Sequence, residues 1–238
     1  VIIGTATIFN GGSFNHNIGG NWTNSGTFNG NTGTITFIGN GKLVSGTGVQ
    51  NFNNLTVAAS AVSFSNNNIT LSGNLATTGS GTFSQVSGGT LTMTGASKTI
   101  SGTGISIDNL TITGSVSTAI SLELTGNLNI SGTFTANPGT ITMSGTGKTI
   151  TGGGSKHFNV LSTTGSITAS AGFRITSGLV VNGSLTATIG TATFTGTSVL
   201  SGIANLYDVN INGTSLQLSA NSNLGIANTL MLTSGTLN

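Results

Sequence analysis

Side chains able to do acid–base chemistry are few in this chain of 238 residues, of which only 3% are charged. The acids are Asp108, Glu123 and Asp208. A glycoside hydrolase needs two carboxyl groups within about 10 Å of each other. Asp108 and Asp208 lie at or next to the same recurring phrase two sequence repeats apart, which predicts a separation of about 20 Å. We therefore expect no catalytic residues and do not interpret the chain as an enzyme.

The remaining polar candidates for a site are scattered. Glu123 and Arg174 align in successive repeats, as LELTG against FRITS, which predicts a weak surface ion pair at most. His16 and His157 are isolated, and no spacing of His, Asp or Glu resembles a metal site. Cysteine is absent, which excludes disulfides and thiolate ligands. We expect no metal, no cofactor and no cofactor-binding residues.

Three lysines recur at one repeat position: Lys42, Lys98 and Lys148. This spacing predicts a sparse row along one edge, where solvated charges would limit side-by-side pairing of strands. The alternative for this lysine row is a site for an anionic extracellular polysaccharide. Trp22 aligns with leucines and is expected in the core or at an end, whereas Tyr207 occupies an outward position.

Composition limits the partners of the chain. A formal charge of +2 from five basic and three acidic residues provides no dense basic patch, so no nucleic-acid partner is expected. No apolar run reaches the ~18 residues of a membrane span. No leader pattern opens the chain, so we expect that a leader has been removed or that Val1 is not the start of the gene product. Despite 39 glycines, 35% hydrophobic residues in regular alternation favour a folded chain over a linker.

The elements that position these residues are internal repeats. Four short phrases recur in one order, and the first of them is Gly-Thr-apolar-Thr-apolar. It divides one domain, 1–238, into the units 4–32, 33–88, 89–138, 139–189 and 190–238.

Each phrase alternates apolar and polar residues, which is the period of a strand. A strand about every eight residues, three to a coil, predicts an all-β, right-handed parallel β-helix, that is, a three-sided β-solenoid with about two coils per repeat of roughly 50 residues. A string of antiparallel sandwich domains is the competing fold, but such a domain needs about 100 residues. The alternation also predicts which side chains point inward, namely Ile35, Phe37, Leu91, Met93, Ile141 and Met143.

Thr-x-Thr pairs, as at Thr34 and Thr36, suggest ice binding as an alternative function, because flat threonine ladders on a solenoid can bind ice. With two coils per repeat, however, the pairs would occupy only alternate coils. Threonine is also simply a good outward residue of a strand.

The two ends of the sequence match an internal junction. Written tail to head, GTLN238–V1IIGTAT aligns without a gap with the residues leading to Thr193. A solenoid with bare ends exposes edges that pair with a matching edge. We therefore expect head-to-tail self-association, or else an excerpt of a longer repeat protein. The assembly interface is predicted at Val1, Ile2, Ile3, Leu230, Leu232 and Leu237.

Phrases such as GTITMSGTGKTI, FNNLTV and LTGNLNISGTF resemble the repeats of bacterial secreted β-helix proteins of adhesin stalks and extracellular filaments. The resemblance covers nearly the whole chain and carries over no catalytic residue. It implies an exported, extracellular or cell-surface β-solenoid with a structural or adhesive role. A structural segment of a filament or stalk is thus the expected function, and a glycan-binding adhesin and an ice-binding solenoid are the alternatives.

Overall fold

A computed structural model describes residues 1–65 and 68–238. The described residues form strands and turns and no helix, and the strands stack in parallel as the coils of a β-solenoid, which confirms the predicted fold class. Accordingly, none of these residues belongs to a helix that could cross a bilayer. The chain divides into two units, Val1–Ser117 and Thr118–Asn238.

The first unit consists of short strands separated by tight corners. These are β1 (Ile2–Ile3), β2 (Ile8–Asn10), β3 (Asn15–Ile18), β4 (Trp22–Asn24), β5 (Thr27–Asn29), β6 (Thr34–Phe37), β7 (Leu43–Ser45), β8 (Val49–Phe52), β9 (Asn54–Val57), β10 (Val62–Phe64), β11 (Ile69–Leu71), β12 (Leu75–Thr77), β13 (Phe83–Gln85), β14 (Thr90–Met93), β15 (Lys98–Ser101), β16 (Ile105–Ile107), β17 (Asn109–Ile112) and β18 (Ser115–Thr118).

The second unit contains several longer strands that continue around corners. These strands are β19 (Leu122–Leu124), β20 (Leu128–Ile130), β21 (Thr133–Met143), β22 (Lys148–Thr151), β23 (Ser155–Thr163), β24 (Ser166–Ala169), β25 (Phe173–Ala187), β26 (Thr191–Phe194), β27 (Thr197–Leu218) and β28 (Asn223–Leu237).

Three strands make one coil in the first unit, because each strand pairs with the third strand before it and the third after it. One column of stacked strands runs β1, β4, β7, β10, β13 and β16. The second column is β2, β5, β8, β11, β14 and β17, and the third includes β3, β6, β9, β12 and β15. One full coil is the interval between register partners, as from Ile35 to Leu55 and from Leu55 to Leu75.

The same arrangement holds in the second unit, where one long strand can contribute to all three columns. Ile175 of β25 pairs with Phe158 and Phe194, Leu179 with Leu161 and Leu200, and Leu185 with Ile167 and Ala204. Register shifts within β23, β25 and β27 mark the corners between these segments.

The prediction of two coils per repeat is wrong. The second repeat opens with β6 and the third with β14. The chain therefore advances eight strands, or two and two-thirds coils, between these two opening strands. Ile35 therefore shares a column with Leu55, whereas Leu91 shares a different column with Leu110. Short strands and tight corners make each coil shorter than half a repeat, so the second and third repeats begin in different columns.

The first repeat also departs from the pattern. The first four residues of its opening phrase, Gly4-Thr5-Ala6-Thr7, form a turn between β1 and β2 rather than a strand, and Ala6 has a φ of 58°. The corresponding phrase of the last repeat forms strand β26. The tail-to-head alignment therefore matches residues that form a turn with residues that form a strand. The alignment no longer supports stacking in that register.

The interior is mostly apolar, as the alternation predicts. All six residues expected to point inward are buried, and Trp22 is fully buried as well. In the first unit Trp22 and Phe28 meet edge to face with ring centroids 4.9 Å apart, and Phe52 packs 5.0 Å from Phe28. Such aromatic pairs contribute about 0.5–1.5 kcal/mol beyond the burial of their area.

Asparagines connect the coils at the corners, where the strand ladders are interrupted. The side-chain oxygen of Asn54 accepts a hydrogen bond from the backbone N–H of Asn74 at 2.9 Å, and Asn74 in turn accepts one from the N–H of Thr99 at 2.9 Å. These bonds satisfy backbone donors that corner geometry takes out of the ladder. The high asparagine content is thus part of the coil-to-coil scaffold.

Candidate functional site

Each carboxylate is engaged by the neighbouring coil. Asp108 is buried and accepts hydrogen bonds from the backbone N–H of Gly88 at 2.7 Å and from Asn109 Nδ2 at 2.9 Å. Asp208 accepts from Asn228 Nδ2 at 2.8 Å and from the N–H of Thr229 at 3.1 Å. Both acids therefore serve as structural acceptors between coils.

The ion pair expected between Glu123 and Arg174 is not formed. Glu123 accepts a hydrogen bond from Ser144 Oγ at 2.9 Å and has Thr142 as its register partner. Arg174 lies in another column of the second unit. The alignment of LELTG with FRITS failed because the repeat is not a whole number of coils.

The lysines do not form the predicted row. Within the first unit, Lys42 precedes a strand of the column that contains β7, whereas Lys98 begins β15 in the third column. Each of these lysines lies three residues after a glycine, and its aliphatic stem covers that glycine. Lys148 covers Gly145 in the same way in the second unit. The recurring Gly-x-x-Lys phrase is thus a corner motif, in which the lysine stem packs over the space that a side chain at the glycine would enter.

Two other candidate residues are Tyr207 and His16. Tyr207 is half-buried. The Nε2 atom of His16 lies 2.9 Å from the carbonyl oxygen of Gly11, and its ring meets Phe9 edge to face at 5.7 Å between centroids.

The threonine pairs do not align into a flat ladder. Thr34 and Thr36 have Asn15 and Asn17 as partners on one side and Asn54 and Thr56 on the other. In the second unit, Thr191 and Thr193 pair with Asp208 and Asn210. A regular surface two threonines wide is therefore not present at these strands, which give the ice-binding alternative no support.

The structure instead brings together two basic residues that look unrelated in the sequence. His157 of β23 and Arg174 of β25 are register partners on adjacent coils of the second unit, and both side chains occupy outward positions. The next coil places Thr193 beside Arg174. Arg174 Nε donates a hydrogen bond to Thr195 Oγ1 at 2.9 Å, which orients the guanidinium. We call His157, Arg174 and Thr193 the basic track.

A third cation lies directly beside the basic track. Lys156 occupies an inward position of β23 and is only 2% exposed. Its ammonium group donates to the carbonyl oxygens of Gly152 and Gly154 at the preceding corner. The buried charge is therefore satisfied by backbone carbonyls and not by an acid, so it leaves net positive charge under this surface.

The basic track forms part of the wall of a concavity of about 380 Å³. Its other polar lining includes the hydroxyls of Thr191 and Thr195 and the amide of Asn212. The guanidinium of Arg174, the imidazole of His157 and uncharged hydrogen-bonding groups thus converge on one open surface.

Burial lowers the pKa of both titratable groups at this surface, and a neighbouring charge adds to the shift at His157. The pKa of His157 falls below its usual value, first because the ring is partly desolvated and second because of the positive charge of Arg174. Burial lowers the pKa of Lys156. An anion bound beside Arg174 would oppose these shifts, since it stabilises the protonated imidazole.

Sequence reasoning missed this surface because it treated His157 as isolated. The separation of His157 and Arg174 is one coil, but the coil length inferred from the repeats was too long to place them side by side. The true coil length is visible in the even spacing of Ile35, Leu55 and Leu75, which was the signal to follow.

The residues predicted for assembly lie in the terminal coils of the two units. Leu230, Leu232 and Leu237 are 42%, 56% and 37% exposed, although their register partners Val209, Ile211 and Leu216 are buried. In the first coil, Val1 and Ile2 are exposed, whereas Ile3 is buried and is not available for an interface.

Comparisons of the chain with protein-family models, with curated proteins and with solved structures found no match. Among the residues that the structure describes, no group of three or more His, Cys, Asp or Glu side chains could hold a metal ion.

Proposed function

We propose that this chain is a structural segment of an extracellular bacterial filament or adhesin stalk, and that its terminal coils stack on further solenoid coils. The observation that carries the proposal is the difference between the last coil and the one before it. Leu230 and Leu232 repeat the core positions of Val209 and Ile211 but remain about half exposed.

Coverage by one more coil would bury these apolar side chains and pair the outer edge of β28. Burial of apolar area stabilises by about 25 cal/mol per Å², and each added backbone hydrogen bond contributes about 1 kcal/mol. A second copy of the chain is the occupant we favour. Such a contact is heterologous and propagates into an open fibre.

The test compares two variants that add the same charge to the same strand. Leu230 points inward, whereas its neighbour Met231 lies on the outward row beside Asn210 and is 49% exposed. We expect the unaltered chain to form fibres at high concentration in negative-stain images and in sedimentation velocity. Leu230→Glu should abolish them, because stacking would bury an unpaired carboxylate, and Met231→Glu should not.

A denaturing mass measurement of material from the native source separates the two ways of adding coils. A species near 23.4 kDa supports association of separate subunits. A much larger species supports further coils in the same polypeptide. A stable monomer at high concentration, unaffected by either substitution, would contradict self-association.

A further inference from the structure

We propose that the basic track of the second unit binds carboxylate-bearing sugars of an acidic polysaccharide. This binding function is separate from stacking, since it uses the outward face of β23, β25 and β26 and none of the exposed residues of the last coil. The chain has seven Lys, Arg and His residues, and three of them are neighbours here. Lys156 and His157 are consecutive, and His157 and Arg174 are register partners.

The charge of the surface selects an anion. Arg174 is exposed and its register partners are His157 and Thr193, neither of which is an acid. The bond from Nε to Thr195 uses one of five N–H donors and holds the planar group in place. A guanidinium fixed in this way can offer two parallel N–H groups to the two oxygens of a carboxylate.

The acid nearest in register makes its hydrogen bonds to the following coil and not to Arg174. Asp208 is the partner of Thr191 at the edge of the concavity. Its carboxylate accepts hydrogen bonds from Asn228 and Thr229 of the following coil, which commits it to the scaffold.

The uncharged lining favours a sugar over a simple ion or an acidic peptide. Thr191, Thr193 and Asn212 offer hydroxyl and amide groups that can both donate to and accept from sugar hydroxyls. The basic track also crosses three successive coils, about 10 Å at the usual strand spacing. A concavity of about 380 Å³ along such a track suits an extended ligand.

The test measures binding of a short oligogalacturonate to the whole chain by isothermal calorimetry. Arg174→Gln should weaken binding about tenfold, because one charge-assisted bidentate contact is lost. Arg174→Lys should restore only part of the loss, since an ammonium group cannot make the two parallel bonds. Lys148→Gln removes the same charge from a different column of the second unit and should change the dissociation constant less than about twofold.

Protonation of His157 provides a second readout. Lowering the pH from about 7.5 to about 5.5 should tighten binding to the unaltered chain, because the imidazole gains a positive charge that the bound carboxylate stabilises. The charged group facing His157 is Arg174, which remains cationic across this range, and Lys156 lies at the adjacent inward position. In His157→Gln the additional tightening should disappear.

Several outcomes would overturn the assignment. Equal weakening by Arg174→Gln and Lys148→Gln would show diffuse attraction to positive charge. Binding of sulfate or polyglutamate as tight as that of oligogalacturonate would show that the hydroxyl and amide lining contributes nothing. Equal affinity for a neutral oligogalactose would remove the role of the carboxylate. Far-ultraviolet circular dichroism checks that each variant folds, and none of these results bears on the Leu230 fibre test.

Discussion

At the scale of single residues, close approach of backbones dominates the choice of side chain. The coil before Gly95 brings the carbonyl oxygen of Ser72 so near that a Cβ at Gly95 would lie 2.0 Å from it. The stem of Lys98 covers the space on the other side. Glycine at this corner therefore reflects the absence of room, and the recurrence of Gly-x-x-Lys is explained without a ligand.

Gly95→Ala should consequently destabilise the fold by about 2 kcal/mol or more, because the nearest atom belongs to the backbone of the preceding coil and cannot move away freely. The matched control is Gly20→Ala, where an added Cβ meets nothing within 4 Å. The control should leave stability unchanged or raise it by about 0.4–1 kcal/mol through the unfolded state. Urea denaturation of both variants measures the difference. Equal stabilities would show that the corner can relax.

At the scale of strands, a pair of buried polar side chains joins β4 and β8 within the mostly apolar interior. Gln50 of β8 is 2% exposed and lies between Phe28 and Ile69 in its column. Its Oε1 accepts a hydrogen bond from Trp22 Nε1 at 3.1 Å, while its Nε2 has no partner among the described residues. Gln50 therefore provides an acceptor for the indole N–H of Trp22 in β4, whereas its own amide N–H groups find no acceptor among the described residues.

A double-mutant cycle should show coupling between these strands of about 1 kcal/mol. Gln50→Leu should destabilise the unaltered chain, because it leaves the buried indole N–H without an acceptor. In the Trp22→Phe background the same change should stabilise, because it removes a buried amide that has lost the indole as its partner. Chemical denaturation of the four proteins provides the energies. Additive effects within about 0.3 kcal/mol would mean that the bond contributes nothing.

At the scale of the whole molecule, backbone hydrogen bonds between stacked strands and the burial of apolar side chains stabilise the fold, and charged side chains contribute little. The chain has eight charged side chains, and its three carboxylates accept hydrogen bonds mostly from uncharged donors. Because the second repeat advances eight strands, the repeated phrases also change column. Copies of one phrase therefore do not stack into a uniform row along these columns.

Thermal unfolding should therefore be nearly independent of simple salt. Between about 0.02 and 0.5 M sodium chloride, we expect the midpoint to move by about 3 °C or less, since exposed charges contribute little and are screened. Sodium sulfate should raise the midpoint, because its exclusion from the surface strengthens apolar burial. Differential scanning calorimetry measures both. A large shift in chloride would contradict the view that charge is incidental to stability.

The sequence by itself determined the fold class and the interior. Alternation places Ile35, Leu91 and Met143 inside whatever the coil length, because side-chain direction in a strand has a period of two and depends on nothing distant. The burial of Trp22 followed from its alignment with leucines for the same reason. Right-handedness remains a prediction.

Only the tertiary structure decided which outward residues become neighbours. That depends on the length of each coil, which corners extend or shorten by a few positions without changing the alternation. Because the coil length inferred from the repeats was slightly too long, the sequence placed Lys98 in a row with Lys42 and Glu123 beside Arg174. The same error hid the pairing of Arg174 with His157. Inward positions tolerate such an error because the inward side of every column is mostly apolar, whereas a surface site requires particular side chains to be adjacent.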